Sequence, residues 1–219
     1  MNGFDQNSIG RFYRLWARPY RWLVPFYLLG NEGRLRRKVV EALHLQPGQT
    51  IVDVGCGTGR NFPTIMERIG PQGLLIGLDY TLAMLHEAQQ LVRRRGWGNV
   101  ELIRGDAAEL SLERGLGRVD ANLSTLAKSV IPNYRRALQQ MVASVRPGGR
   151  VAIADASRSE RSYARPFNFV ADVLGWGAAA DVSRRPWEIL RSLLDDVSYE
   201  DFFLGFFYVA AGSVPQRIE

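Results

Sequence analysis

Three glycines at alternate positions, Gly55, Gly57 and Gly59, follow an apolar run, Thr50-Ile51-Val52, and an aspartate, Asp53. Glycine admits positive φ and leaves room for a ligand to lie against the peptide backbone. Residues 61–70 read as a helix starting just past the turn, and a helix N-terminus adds unpaired N–H groups and partial positive charge. A strand, a tight turn and a helix end together make a seat for a nucleotide-like ligand. The spacing departs from the dinucleotide fingerprint G-x-G-x-x-G, whose third glycine packs helix against strand. That position holds Arg60. A carboxylate two residues before the first glycine suits a ligand carrying a cation better than one carrying a pyrophosphate. Any parallel α/β protein can place glycines after its first strand, so the neighbours of the turn decide its meaning.

Two of those neighbours are acidic and fall at strand ends. Residues 74–79 read as a second strand closed by Asp79, about one βα unit after Asp53. A carboxylate at such a tip is placed to take both ribose hydroxyls of a bound nucleoside. Capping the helix that begins near Thr81 is compatible with that role. Residues 99–104 read as a third strand, followed by Gly105-Asp106-Ala107. The single cysteine, Cys56, lies inside the glycine turn with no histidine near it, so it reads as a small residue fitting a tight site. The only histidines, His44 and His86, form no metal-ligand spacing, which sets aside metal chemistry and Ser/His catalysis.

The elements that must position these residues follow an alternating βα order, which argues an α/β protein with a parallel sheet. Helix 81–95 joins the second and third strands. Residues 119–124 are the fourth strand, 126–132 a loop, 134–145 a helix, 146–150 a turn and 151–155 the fifth strand. Residues 156–185 lack strong periodicity. A helix opened by Arg184-Arg185-Pro186-Trp187 runs to about 195, and 202–211 is a closing strand. The pattern contains no internal repeat or linker. One domain is expected over 1–219, with a core at 50–212 and a helical cap at 1–45.

The chain has 219 residues, 46% of them hydrophobic, enough for a full core. Its formal net charge of +6 suits an anionic partner, nucleic acid or membrane surface. Ile9, Phe12, Tyr13 and Trp16 share one helical face while Arg11, Arg14 and Arg18 share another, and residues 20–29 are almost wholly apolar or aromatic. Basic residues opposite Trp, Phe and Leu describe a helix lying in a membrane interface. The same face serves equally to cap the sheet, since periodicity does not separate core from lipid. Asn31 is expected to cap the next helix, with Arg34, Arg36, Arg37 and Lys38 on its exposed side and Leu35, Val39, Ala42 and Leu43 buried. No apolar run approaches the ~20 residues that span a bilayer. One cysteine and a polar start without an apolar signal core point to a cytoplasmic setting, with the inner membrane face as a surface to visit.

The D-x-G-x-G-x-G arrangement at 53–59 resembles the first motif of class I S-adenosylmethionine-dependent methyltransferases, and the signals at Asp79 and Asp106 resemble the next two. The resemblance implies a Rossmann-like three-layer sandwich with a mostly parallel seven-stranded sheet, an antiparallel last strand and N-terminal amphipathic helices. It implies S-adenosylmethionine as cofactor and no metal. The cofactor residues it implies are Tyr20, Asp53, Gly55, Cys56, Gly57, Gly59 and Asn61 around the first motif. Asp79, Tyr80 and Met84 belong to the second, and Asp106, Ala107 and Ser124 to the strand ends beyond. Within the family, Gly57-Thr58-Gly59-Arg60-Asn61-Phe62-Pro63, Ser129-Val130-Ile131-Pro132 and Arg185-Pro186-Trp187 look like bacterial phospholipid and betaine-lipid N-methyltransferases. That similarity implies a lipid head-group amine as acceptor, met at an anionic membrane surface. Candidates at the acceptor end are Tyr13, Tyr20, Lys128 and Tyr134, and Lys128 also suits an acceptor's phosphate or carboxylate. Quinone-ring and small-molecule methyltransferases share the cofactor half, and a non-catalytic S-adenosylmethionine-binding protein fits the same residues. A nicotinamide-dependent reductase is disfavoured by Arg60 and Asp53. A nucleic-acid methyltransferase is disfavoured by Asn122-Leu123-Ser124-Thr125, which lacks the Asn/Asp-Pro-Pro-aromatic motif.

Overall fold

The computed structural model describes residues 30–109, 118–177 and 180–216. The amphipathic stretch 9–29, with Tyr13 and Tyr20, lies outside the described residues. Seven strands form one sheet in the order β3-β2-β1-β4-β5-β7-β6. These are β1 (Thr50–Val54), β2 (Leu74–Asp79), β3 (Val100–Arg104), β4 (Val119–Thr125), β5 (Val145–Ala156), β6 (Asp195–Phe202) and β7 (Phe207–Ser213). All pairings from β3 across to β5 are parallel. β7 runs antiparallel to both its neighbours, β5 and β6.

The helices are α1 (Glu32–Glu41), α2 (Phe62–Ile69), α3 (Leu82–Arg95), α4 (Tyr134–Ala143), α5 (Asn168–Gly177) and α6 (Pro186–Leu193). Alternation along each strand sorts the core into two. Ile51, Leu75 and Leu123 pack with Leu35 and Val39 of α1, Ile65 and Ile69 of α2 and Ala88 and Val92 of α3. Val52, Ile76 and Ile153 pack with Leu138 and Met141 of α4 and Trp187 and Leu190 of α6. Both faces are covered, which is why β1, β2 and β5 read as near-continuous apolar runs. Two covered faces around one sheet make the three-layer sandwich.

Three local expectations are corrected. The single closing strand over 202–211 is a hairpin, with β6 occupying 195–202 and a turn at 203–206. Asn31 stands before α1 in a helical conformation and makes no side-chain cap hydrogen bond. The basic residues of α1 do not form one exposed face. Lys38 reaches Glu200 on β6, Arg34 lies over the Phe202 ring, and Arg36 is half-buried. Among the described residues no helix is long and apolar enough to cross a membrane.

Candidate functional site

Strand order reverses between β1 and β4, so the connections after these two strands leave in opposite directions and open a crevice at their carboxyl ends. Four strand ends meet there, and one cleft is lined by residues from all four. From the turn after β1 come Gly55, Cys56, Gly57, Thr58 and Arg60. From β2 and the start of α3 come Asp79, Tyr80, Thr81 and Met84, and from the turn after β3 come Asp106 and Ala107. The opposite wall follows β4 and is formed by Ala127, Val130, Ile131 and Pro132.

The glycine turn has the form its sequence requires. Gly55 sits at φ +72°, and a Cβ there would meet the Ala127 Cβ at 2.6 Å. Gly57 sits at φ +57° with nothing within 4 Å of where a Cβ would be, so its backbone is open to a ligand. The Gly57 N–H donates to Asp79 Oδ2 at 2.9 Å, and the Thr81 N–H donates to Asp79 Oδ1 at 2.8 Å. The Asp79 carbonyl in turn accepts from the Gly105 N–H at 3.1 Å. Asp79 therefore joins the turns after β1, β2 and β3. Burial raises its carboxyl above the usual range, and the Thr81 and Gly57 N–H groups act against that rise. Each carboxylate oxygen keeps acceptor capacity beyond its one backbone partner. Asp106 Oδ1 accepts from the Ala108 N–H at 2.9 Å, which aims the side chain within its own turn.

Asp53, Asn61, Gly59 and Ser124 do not line the cleft. Asp53 is fully buried, and both its oxygens accept from Asn61 Nδ2, at 3.1 and 3.0 Å. Burial lifts its carboxyl to about 7, against the Asn61 hydrogen bond and the nearby Arg36 charge. Asn61 Nδ2 also reaches Thr125 Oγ1 at 3.1 Å, tying the start of α2 to the end of β4. A Cβ on Gly59 would meet the Phe62 ring at 2.8 Å, so this glycine allows helix packing. The Ser124 hydroxyl donates to the Val54 carbonyl at 2.7 Å, between two strands.

The acceptor-end candidates lie behind the β4 wall. Lys128 is 1% exposed, and its Nζ has no hydrogen-bond partner. Burial pulls the amine down to about 7, against the attraction of Asp155. Asp155 holds the turn by accepting from the Ser129 N–H at 2.9 Å and the Ser129 hydroxyl at 3.0 Å. Arg184 clamps it from outside, donating to the carbonyls of Lys128 at 2.9 Å and Ile131 at 2.6 Å while lying over the Tyr134 ring. Leu126 opens this wall at φ +57°, a conformation that costs a non-glycine residue roughly 1–2 kcal/mol and marks a backbone held by its surroundings.

Sequence reasoning missed Arg36 and Thr125 as cleft residues. Arg36 is brought there by α1, from outside the motif, and no local signal separates it from the other basic residues of that helix. The cleft holds no histidine among its described lining, and burial pushes the Cys56 thiol well up, so no activated nucleophile is present. The arrangement binds and orients; it offers acidic acceptors on one side and an apolar wall on the other.

A family model described as a methyltransferase domain matches residues 45–179. A demethylmenaquinone methyltransferase from Oceanobacillus iheyensis is 29% identical over 157 residues, covering 69% of this chain and 65% of the relative. One from Geobacillus kaustophilus is 29% identical, covering 69% and 66%. The chain thus spans just under two thirds of the length of these relatives. Among solved structures, a geranyl diphosphate methyltransferase in complex with S-adenosylmethionine superimposes with a TM-score of 0.67 at 18% identity, covering 84% of this chain and 85% of that one. The [4+2]-cyclase SpnF superimposes with a TM-score of 0.75 at 16% identity, covering 98% of each. These structural likenesses establish the fold alone.

Proposed function

The chain belongs to the methyltransferase-domain family, and from that premise we propose that it transfers the methyl group of S-adenosylmethionine to the ring of a small apolar acceptor of the quinone class. The cleft fits the donor. Gly57 leaves open backbone against which its methionine part can lie, Asp79 keeps acceptor capacity for ribose hydroxyls, and Asp106 offers a carboxylate to the exocyclic amine of adenine. S-adenosylmethionine supplies a methyl group already activated on a sulfonium. The chain's own residues then have to bind, align and exclude water. Asp79 and Asp106 fix the nucleoside, the glycine turn sets the depth of the seat, and the wall of Ala127, Val130, Ile131 and Pro132 takes the acceptor's apolar ring. Lys128 and Tyr134 stand at the acceptor end.

The observation that carries this reading is the convergence of Gly57, Asp79 and Asp106 on one cleft opposite that apolar wall. The quinone class is supported by the relatives, which act on demethylmenaquinone. The lipid amine expected from the Ser129-Val130-Ile131-Pro132 and Arg185-Pro186-Trp187 resemblances finds no such support. Labelled methyl donor incubated with the protein and a demethylated naphthoquinol, phosphatidylethanolamine vesicles or small amines separates the acceptors. Label is expected in the naphthoquinol. Label in the lipid alone removes the quinone class and leaves the methyltransferase.

A further inference from the structure

At the outer end of the glycine turn, one buried carboxylate holds two guanidinium groups. Glu32, at the start of α1, is 4% exposed. Its Oε1 accepts from Arg36 Nε at 2.8 Å and Arg60 Nε at 2.7 Å, while its Oε2 has no hydrogen-bond partner. Both arginines line the cleft beside Gly55 and Gly57. Arg36 is further fixed by donating from Nη1 to Asn61 Oδ1 at 2.9 Å, and Asn61 is itself fixed by Asp53 and Thr125. A guanidinium has five N–H donors. Arg36 uses Nε and Nη1, and its remaining donors have no partner among the described residues. Two positive charges against one carboxylate leave this corner of the cleft with an excess positive charge, displayed on a rigid fork suited to a second carboxylate.

We propose that Arg36, supported by Arg60 and Glu32, receives the carboxylate of the amino-acid end of the methyl donor. The inference rests on the donor assigned above and adds the group that selects its zwitterionic end. Glu32 acts as a positioning residue, because it sets the angle at which both guanidiniums enter the cleft. Arg36 also links the carboxylate seat through Asn61 to Asp53, so the two ends of the glycine turn respond to one hydrogen-bonded chain.

The test compares two ligands by titration calorimetry. S-adenosylhomocysteine carries the amino-acid carboxylate; 5′-methylthioadenosine carries the same nucleoside and thioether without it. Arg36→Met is expected to weaken S-adenosylhomocysteine roughly tenfold to a hundredfold and to leave methylthioadenosine unchanged. Arg36→Lys, which retains the charge and loses the fork, is expected to fall between the variant and the wild type. Equal losses for both ligands make the role structural and overturn the proposal. So does a variant that keeps its S-adenosylhomocysteine affinity and loses affinity for an anionic acceptor instead. If the Arg36→Met chain does not fold, Arg36→Lys decides by the same ratio, and an unchanged ratio overturns the proposal. A wild-type chain that binds neither ligand removes the donor itself, which is a different failure from a lost ratio.

Discussion

At the residue scale the site depends on where carboxylates and amines are buried. Asp79 is the side chain expected to hold the ribose, and Asp79→Ala should weaken S-adenosylhomocysteine about tenfold or more by calorimetry. Unchanged affinity would remove that role. Asp53 and Lys128 set opposite pH windows. The native Asp53 carboxyl is raised from 3.8 to about 7, so the folded chain binds more protons than the unfolded one between those values. Stability from this group is present at low pH and is lost as pH rises through about 7. Asp53→Asn should therefore flatten the fall in stability between pH 4 and 7 and raise stability at pH 8 by an amount of order 2 kcal/mol. The Lys128 amine is lowered from 10.5 to about 7, so the unfolded chain binds more protons across that interval. Its penalty is full below about pH 7 and fades as pH rises. Lys128→Met should flatten the rise in stability between pH 7 and 9, read from urea midpoints at each pH. A slope unchanged from wild type would place the ammonium in contact with solvent.

At the element scale the glycine turn is held between β1 and the wall after β4. Gly55→Ala adds a methyl 2.6 Å from the Ala127 Cβ and also strains φ +72°, and the two costs are separable. The single change should destabilise by about 1–3 kcal/mol. Adding Ala127→Gly should recover the part due to the clash and leave the part due to φ. No recovery in the double variant would mean that the whole cost is backbone. This turn was legible in the sequence because its information is local: glycines, an entering apolar run and a following helix lie within a few residues. Asp79 and Asp106 were legible for the same reason, each ending a recognisable strand. Arg36 was not, because its charge pattern within α1 matches a solvated face, and only the docking of that helix against the glycine turn gives it a cleft. β6 was hidden by Asp195, Asp196, Glu200 and Asp201, acidic residues that interrupt any apolar alternation on this edge strand. The depth of Lys128 is likewise a tertiary fact, set by Asp155 on β5 and by Arg184 from beyond α5.

At the scale of the whole molecule, the order of strands makes the cleft and the motifs furnish it. A ligand that binds only the folded chain stabilises it by mass action. S-adenosylhomocysteine at about a hundred times its dissociation constant should add about 2.7 kcal/mol, a rise in melting temperature of roughly 5–10 °C for a chain of this length. A melting temperature that ignores this ligand would contradict the proposed donor. The bond pattern at Asp79 has a consequence for how the crest of the sheet opens. Its carboxylate holds the amides of Gly57 and Thr81, and its carbonyl holds the amide of Gly105. These three amides come from three different loops, yet they share one anchor. In hydrogen exchange they should open as one cooperative unit, with a common free energy that rises when donor or product binds. Asp79→Ala should release Gly57 and Thr81 to fast exchange while Gly105, bonded to the main chain, stays slow.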